Sequence, residues 1–213
     1  MRQTYDTPMV EPASTPMDVN GGFLCQWTHW RPNPDDPDPD RPGLKQQITM
    51  YMAVRPDADC LCGSGRQYGD CCRRQRYWYP ICPNPGLEGY SFLAPQEAIF
   101  APVDGRAIRM ALMDEIRVHD VELTPRRSFW IYWGEPALES RYGIICFGDV
   151  ELRDGQTLIV TAMSDLRMRV LRTLLRDTGV ALPAPRMQYD RVQVIDKRTG
   201  KAEFRPPHKQ KRT

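Results

Sequence analysis

Histidine is scarce in this chain: three in 213 residues, at positions 29, 119 and 208. Enzymes that move protons near neutral pH rely on imidazole more than on any other side chain. Acid–base chemistry of the usual kind is therefore poorly supplied. No apolar run approaches the roughly 18–20 residues that a helix needs to cross a bilayer, which excludes insertion by that route. The first eighteen residues, MRQTYDTPMVEPASTPMD, hold no apolar stretch of signal-peptide length, so export is not expected and the cytoplasm is the expected compartment. No phosphate-cradling glycine loop, G-x-S-x-G or H-E-x-x-H occurs. Nor does charge of one sign dominate: 29 Lys and Arg face 27 Asp and Glu, a net charge of +2, which by itself does not announce a nucleic-acid binder.

Charge is instead uneven along the chain. Residues 1–44 carry seven acidic and three basic side chains, net −4, and residues 186–213 carry nine basic and three acidic, net +6. Both ends read first as solvated tails. Within the acidic end, RPNPDDPDPDRP (31–42) is an extended proline-rich linker. Its aspartates lack the glycine turn and distal glutamate of a calcium-binding EF-hand loop. The preceding GFLCQWTHW is a short aromatic run able to pack as a strand. His29 within it reads as a packed or surface residue.

Cysteine, by contrast, is concentrated. Four of the seven lie in CLCGSGRQYGDCC, residues 60–72. Disulfides are rare and transient in a reducing cytoplasm, and adjacent Cys71 and Cys72 would form a strained bridge with each other. A catalytic thiolate needs one activated sulfur beside a base, not four thiols in one loop. Four thiolates around one ion make a closed tetrahedral zinc site. Gly63 and Gly65 permit the positive φ such a loop needs, and Ser64 can brace the turn. Cys60, Cys62, Cys71 and Cys72 are therefore the candidate ligands of a zinc ion (Zn2+). Cys25, Cys82 and Cys146 are single and widely spaced and make no second site. Cys82 can approach the knob, but four ligands already fill a tetrahedron. Cys146, in YGIICF, reads as core.

The pattern C-x-C-G-S-G-x-x-Y-x-x-C-C, at Cys60, Cys62, Gly63, Ser64, Gly65, Tyr68, Cys71 and Cys72, resembles the SEC-C motif. That motif is the small zinc-binding element at the C-terminus of the SecA translocase motor and in many bacterial proteins. The resemblance covers about residues 57–75. It implies a zinc-binding knob that contacts proteins or ribosomes and has no chemistry of its own. Where members commonly carry lysines before the last cysteine pair, this chain has Arg66, Gln67, Gly69 and Asp70; positive charge resumes at Arg73, Arg74 and Arg76.

QQITMYMAV (46–54) alternates as a strand or short helix leading into the knob. In RRQRYWYP (73–80), arginines interleave with aromatics. They could stack on bases and neutralise phosphates, or cover the knob and anchor it to the body. From residue 90 the pattern becomes that of a packed domain. EAIFAPVDGRAIRMALMDEI (97–116) offers one or two helices, with Ile108, Ala111, Leu112 and Ile116 on a shared face. FWIYW (129–133) is β-rich. YGIICFGDVEL and TLIVTAM form a hairpin turning at Arg153-Asp154-Gly155-Gln156. Ser164 caps the helix DLRMRVLRTLLRDTG, and Gly179 lies just beyond its end. Leu166, Val170, Leu171, Leu174 and Leu175 form its apolar side. Arg169, Arg172 and Arg176 form an exposed face that is either solvated or able to grip phosphates or an acidic partner. RVQVI (191–195) adds a last strand. Asp114–Glu115 and His119–Asp120 are sequence neighbours with no sign of acting as catalytic pairs.

These patterns predict an α+β chain: a small zinc knob inserted ahead of a mixed domain with an antiparallel hairpin and a packed amphipathic helix. Its expected divisions are a flexible arm and Pro/Asp-rich linker (1–44), the SEC-C motif (57–75), an α+β domain (90–196) and a basic tail (197–213). Two functions from different classes fit. One is a cytoplasmic binding or adaptor protein that engages a protein partner first, or a ribosome or RNA, through Arg73, Arg74, Arg76, Arg169, Arg172 and Arg176. The alternative is an enzyme with a site dispersed over residues 90–196, recruited to its substrate by the knob. Four thiolates leave no open position on the metal, which weighs against catalytic zinc.

Overall fold

Wherever β-branched and aromatic residues alternate with polar ones, this chain builds strands, and it has many such stretches. The computed structural model describes residues 18–32, 35, 42–84, 89–132 and 146–208. Among them run β1 (Gly22–Pro32), β2 (Pro42–Ala53), β3 (Tyr77–Trp78), β4 (Ile81–Pro83), β5 (Tyr90–Phe92) and β6 (Gln96–Phe100). Helix α1 (Gly105–Met113) follows, then β7 (Val118–Leu123), β8 (Arg127–Tyr132), β9 (Gly148–Arg153) and β10 (Thr157–Ala162). Helix α2 (Asp165–Asp177) leads to β11 (Arg186–Tyr189), β12 (Val192–Asp196) and β13 (Ala202–Arg205). Helices and sheets are mixed throughout, an α+β arrangement.

The largest sheet has the order β11-β6-β10-β9-β8-β7, antiparallel at every pairing. The hairpin expected at Arg153–Gln156 is its centre. Asp154 and Gly155 have φ of 49° and 65°, positive values that let the three residues between Arg153 and Thr157 reverse the chain. Both helices cover one face. Ile108 and Leu112 of α1, with Met168, Leu171, Leu174 and Leu175 of α2, pack on Ala98, Trp130, Val150, Leu152, Leu158 and Val160. Each helix starts on a side-chain cap: Asp104 accepts from Ala107 N at 3.0 Å, and Ser164 from Arg167 N at 3.3 Å. Gly179, at φ 75°, follows the end of α2. Gly148 lets α2 come close, because a Cβ there would lie 2.4 Å from both Leu171 Cδ1 and Thr161 O.

A second sheet has the order β2-β1-β4-β5, and a third β13-β12-β3. Arg167 joins these parts from inside. It is fully buried on α2 and donates to Cys146 O at 3.0 Å and to Pro83 O at 2.6 Å. Further backbone bonds run from Cys146 N to Thr28 O and from Ala94 N to Met163 O.

Four expectations change. The arm and linker of 1–44 contain β1 and the start of β2, paired antiparallel from Gly22↔Ala53 to Pro32↔Pro42. The Pro/Asp stretch therefore connects two strands; residues 1–17, 33–34 and 36–41 lie outside the described ones. Residues 96–100 are strand rather than helix, with Gln96, Ala98 and Phe100 buried on alternate positions. Ile116 falls beyond α1 and is 91% exposed, not on the shared face. The basic tail folds back as β13 on β12, and residues 209–213 lie outside the described ones. The expected strand FWIYW is β8 up to Tyr132; Trp133 lies outside the described residues.

Candidate metal centre

Between β2 and β3 the chain makes a compact loop whose local geometry the sequence dictates. Asp59 and Gln67 form an isolated bridge, and Cys60 N donates to Arg66 O at 2.8 Å, closing the loop on itself. Gly63 and Gly65 turn it at φ 75° and 68°, values that side-chain-bearing residues rarely adopt. Two 3-10 turns follow, Tyr68–Asp70 and Cys72–Arg74, and they carry the last cysteine pair inward. Tyr68 is 1% exposed and donates its hydroxyl to Gly22 O at 3.0 Å; Trp78 Nε1 donates to the same carbonyl at 2.7 Å. One backbone oxygen of β1 thus holds the chain on either side of Cys71 and Cys72.

The loop brings Cys60, Cys62, Cys71 and Cys72 together, all buried, with every Sγ within 4.8 Å of the others. Cys62 and Cys71 are 3.6 Å apart, Cys71 and Cys72 3.9 Å. A tetrahedron with metal–sulfur bonds of about 2.3 Å has sulfur–sulfur edges of about 3.8 Å, so this donor set fits a single metal ion. Without a cation, four sulfurs this close compete for protons. Hydrogen bonds from Cys60 and Cys72 hold Cys62 far down, as the thiolate of the group. The bond to Cys62 and burial push Cys60 up to about 11, and bonds to Cys60 and Cys62 push Cys72 up as well. A dication stabilises all four thiolates at once. Around them, Arg66 Nη2 donates to Cys71 Sγ at 3.2 Å, and Ser64 Oγ lies 3.2 Å from the same sulfur.

Residues 58–74 match the family model of the SEC-C motif. No curated protein and no solved structure matches the chain. SEC-C is a zinc-binding motif, and the match takes in all four cysteines.

The other cysteines stay out of the cluster. Burial pushes Cys25 up to about 12 and also raises Cys82, so both persist as thiols. Cys82 packs with Leu93, Val192 and Val194 rather than with the motif, and its Sγ faces Met163 O at 3.8 Å. Cys146 packs on Ile131.

The arginines after the motif divide. Arg73 is exposed. Arg74 pairs with Asp70 at 2.6 Å on the surface. Arg76 donates from Nε and Nη2 to Asp196 Oδ2 at 3.0 and 2.7 Å, tying this segment to β12. Arg76 and Arg205 also lie over the Tyr77 ring, at 4.9 and 3.7 Å from its centroid. Arg169, Arg172 and Arg176 are exposed on α2, which packs on the six-stranded sheet.

Sequence reasoning missed the contributions of the C-terminal segment. Lys197 Nζ donates to the carbonyls of Cys72 and Arg73 at 2.9 and 3.0 Å. His208 stacks on Phe92 at 4.2 Å and meets Tyr79 edge-on at 5.2 Å. Nothing local marks these residues, since their partners lie more than a hundred positions earlier; the Lys-Arg-Thr-Gly turn at 197–200 was the available sign of a returning strand.

Among the described residues, no helix is long and apolar enough to cross a membrane.

Proposed function

We propose that this chain is a zinc-binding SEC-C motif protein, acting in the cytoplasm as a binding or adaptor module for a protein partner. The observation that carries the reading is the all-thiol donor set of Cys60, Cys62, Cys71 and Cys72, buried with every Sγ within 4.8 Å of the others. When bound, zinc in such a set acts as a structural cross-link, because four thiolates leave no position for substrate. The loop residues Gly63 to Gln67 stay exposed above it and offer a rigid surface for recognition. Beside the motif, the arginines favour a protein over a polyanion: Arg74 and Arg76 pair with Asp70 and Asp196, while Arg73 is exposed.

Two measurements test this. Elemental analysis should find about one zinc per chain, lost in a Cys71→Ser, Cys72→Ser double variant; protein purified without stoichiometric zinc would sink the reading. A pull-down from the native host should recover a protein partner that the double variant fails to hold. Recovery of ribosomal RNA instead would move the function to the ribosome.

A further inference from the structure

Beside α2 lies a depression of about 200 Å3, lined by Arg117, Tyr132, Arg169, Val170, Thr173 and Leu174. Tyr132 and Leu174 are buried and Val170 half-buried, so its floor is apolar, while Arg169 and Thr173 stand exposed at its rim. Arg117 is held in place by Glu115, to which it donates from Nε at 2.7 Å and from Nη2 at 2.6 Å; Nη1 remains for another acceptor. Asp165, one turn before Arg169 on α2, is turned away, accepting from Gln96 Nε2 at 2.8 Å. Arg172 and Arg176 extend the basic side along the helix, with Asp177 the acidic group beside them.

We infer that this groove binds an acidic peptide segment of the partner. A carboxylate side chain sits between Arg117 and Arg169, and a neighbouring apolar side chain rests on Val170 and Leu174. Charge complementarity selects the carboxylate: Arg169 offers its guanidinium fork and Arg117 its remaining Nη1, and Arg172 and Arg176 favour further acidic residues alongside. Size selects a peptide over a free metabolite, because small-molecule pockets usually span about 300–1,000 Å3. The apolar floor selects a peptide over a nucleic-acid backbone, which needs cations but no such floor. This inference rests on the protein-partner reading above and names what that partner presents.

The test uses the full-length protein with zinc bound and fluorescence anisotropy. The probe is a fluorescein-labelled 12-residue peptide alternating Glu with Leu, beside its Gln-for-Glu counterpart and a uridine 12-mer RNA. The acidic peptide should bind, and the Gln peptide about tenfold or more weakly. Arg169→Gln should weaken the acidic peptide by a similar factor. Thr173→Glu, an exposed change on the helix surface, should abolish binding with an unchanged circular dichroism spectrum, and Thr173→Lys should strengthen it. Equal binding of the Gln peptide, indifference to Thr173→Glu, or preference for the RNA would each overturn the inference. The Cys71→Ser, Cys72→Ser variant should keep peptide binding, because α2 belongs to a core without motif residues. A failed groove and a failed motif are thus separately visible.

Discussion

Arg167 is a charged side chain with 0% exposure whose hydrogen bonds go to two carbonyls, Pro83 O and Cys146 O. Hydrogen bonds to charged groups contribute about 1.5–3 kcal/mol each, and a buried carbonyl left bare carries a comparable penalty. Arg167→Ala should therefore lower stability by about 3 kcal/mol or more in denaturant unfolding, and Arg167→Lys should rescue it poorly, because one ammonium cannot span both oxygens as a planar fork does. A loss below about 1 kcal/mol would show that water satisfies those carbonyls. Asp196 gives a pH signature. Hydrogen bonds from Arg76 and from Arg198 N hold its carboxyl below the usual range. A lowered carboxyl pKa adds stability above its unfolded value near about 4, and that stability fades as pH falls through the folded value. Wild type should thus exceed Asp196→Asn in stability at pH 7, and the two should converge in acid; a constant difference at every pH would refute the ion pair's part. At this scale the four ligands were legible because their spacing states their chemistry. Arg167 was not: between Leu166 and Met168 it reads as one more helix-surface arginine, and only segments 21 and 84 residues away decide its burial.

Helix α2 and the sheet under it meet at Gly148, where an added Cβ would strike a backbone oxygen and a buried leucine at 2.4 Å. Gly148→Ala should cost about 1–3 kcal/mol, as overpacking in a dense core does, seen as a lower thermal midpoint with unchanged secondary structure; a neutral outcome would mean that the helix can slide outward. The β9–β10 hairpin and α2 were legible because turn chemistry, cap and periodicity agree there. The elements misread are those whose signal depends on a distant partner. Residues 96–100 resemble the start of the helix that follows, until β10 and β11 on either side claim them as a strand. Strand β13 has three exposed residues and one half-buried, so no apolar alternation announces it. Strand β1 carries the alternation Phe23, Cys25, Trp27, but its partner β2 follows an intervening proline-rich stretch, which made the region read as a linker.

The described residues hold two main apolar cores. All four motif cysteines pack in one, with Phe23, Trp27, Ile81 and Phe92; the other lies between the helices and the six-stranded sheet. Chelation should therefore reach further than the motif but stop short of the second core. In hydrogen exchange, protection should fall over residues 57–75 and in part over 192–205, through Lys197 and Asp196, and persist over 148–175. Global loss of protection would show one cooperative unit instead. Acid should act as chelation does, because ligand thiolates must lose protons to bind metal. The double hold on Gly22 O by Tyr68 and Trp78 has a kinetic consequence. The emptied loop stays tethered at Tyr68 and Trp78, on either side of Cys71 and Cys72, so the sulfurs remain at an effective concentration of about millimolar or above. Capture of a metal ion then closes a locally opened loop that is already tethered, and does not wait for the core to refold. In stopped-flow mixing, the reloading rate should rise in proportion to zinc concentration, and a slow phase indifferent to zinc would mean that the tether has let go.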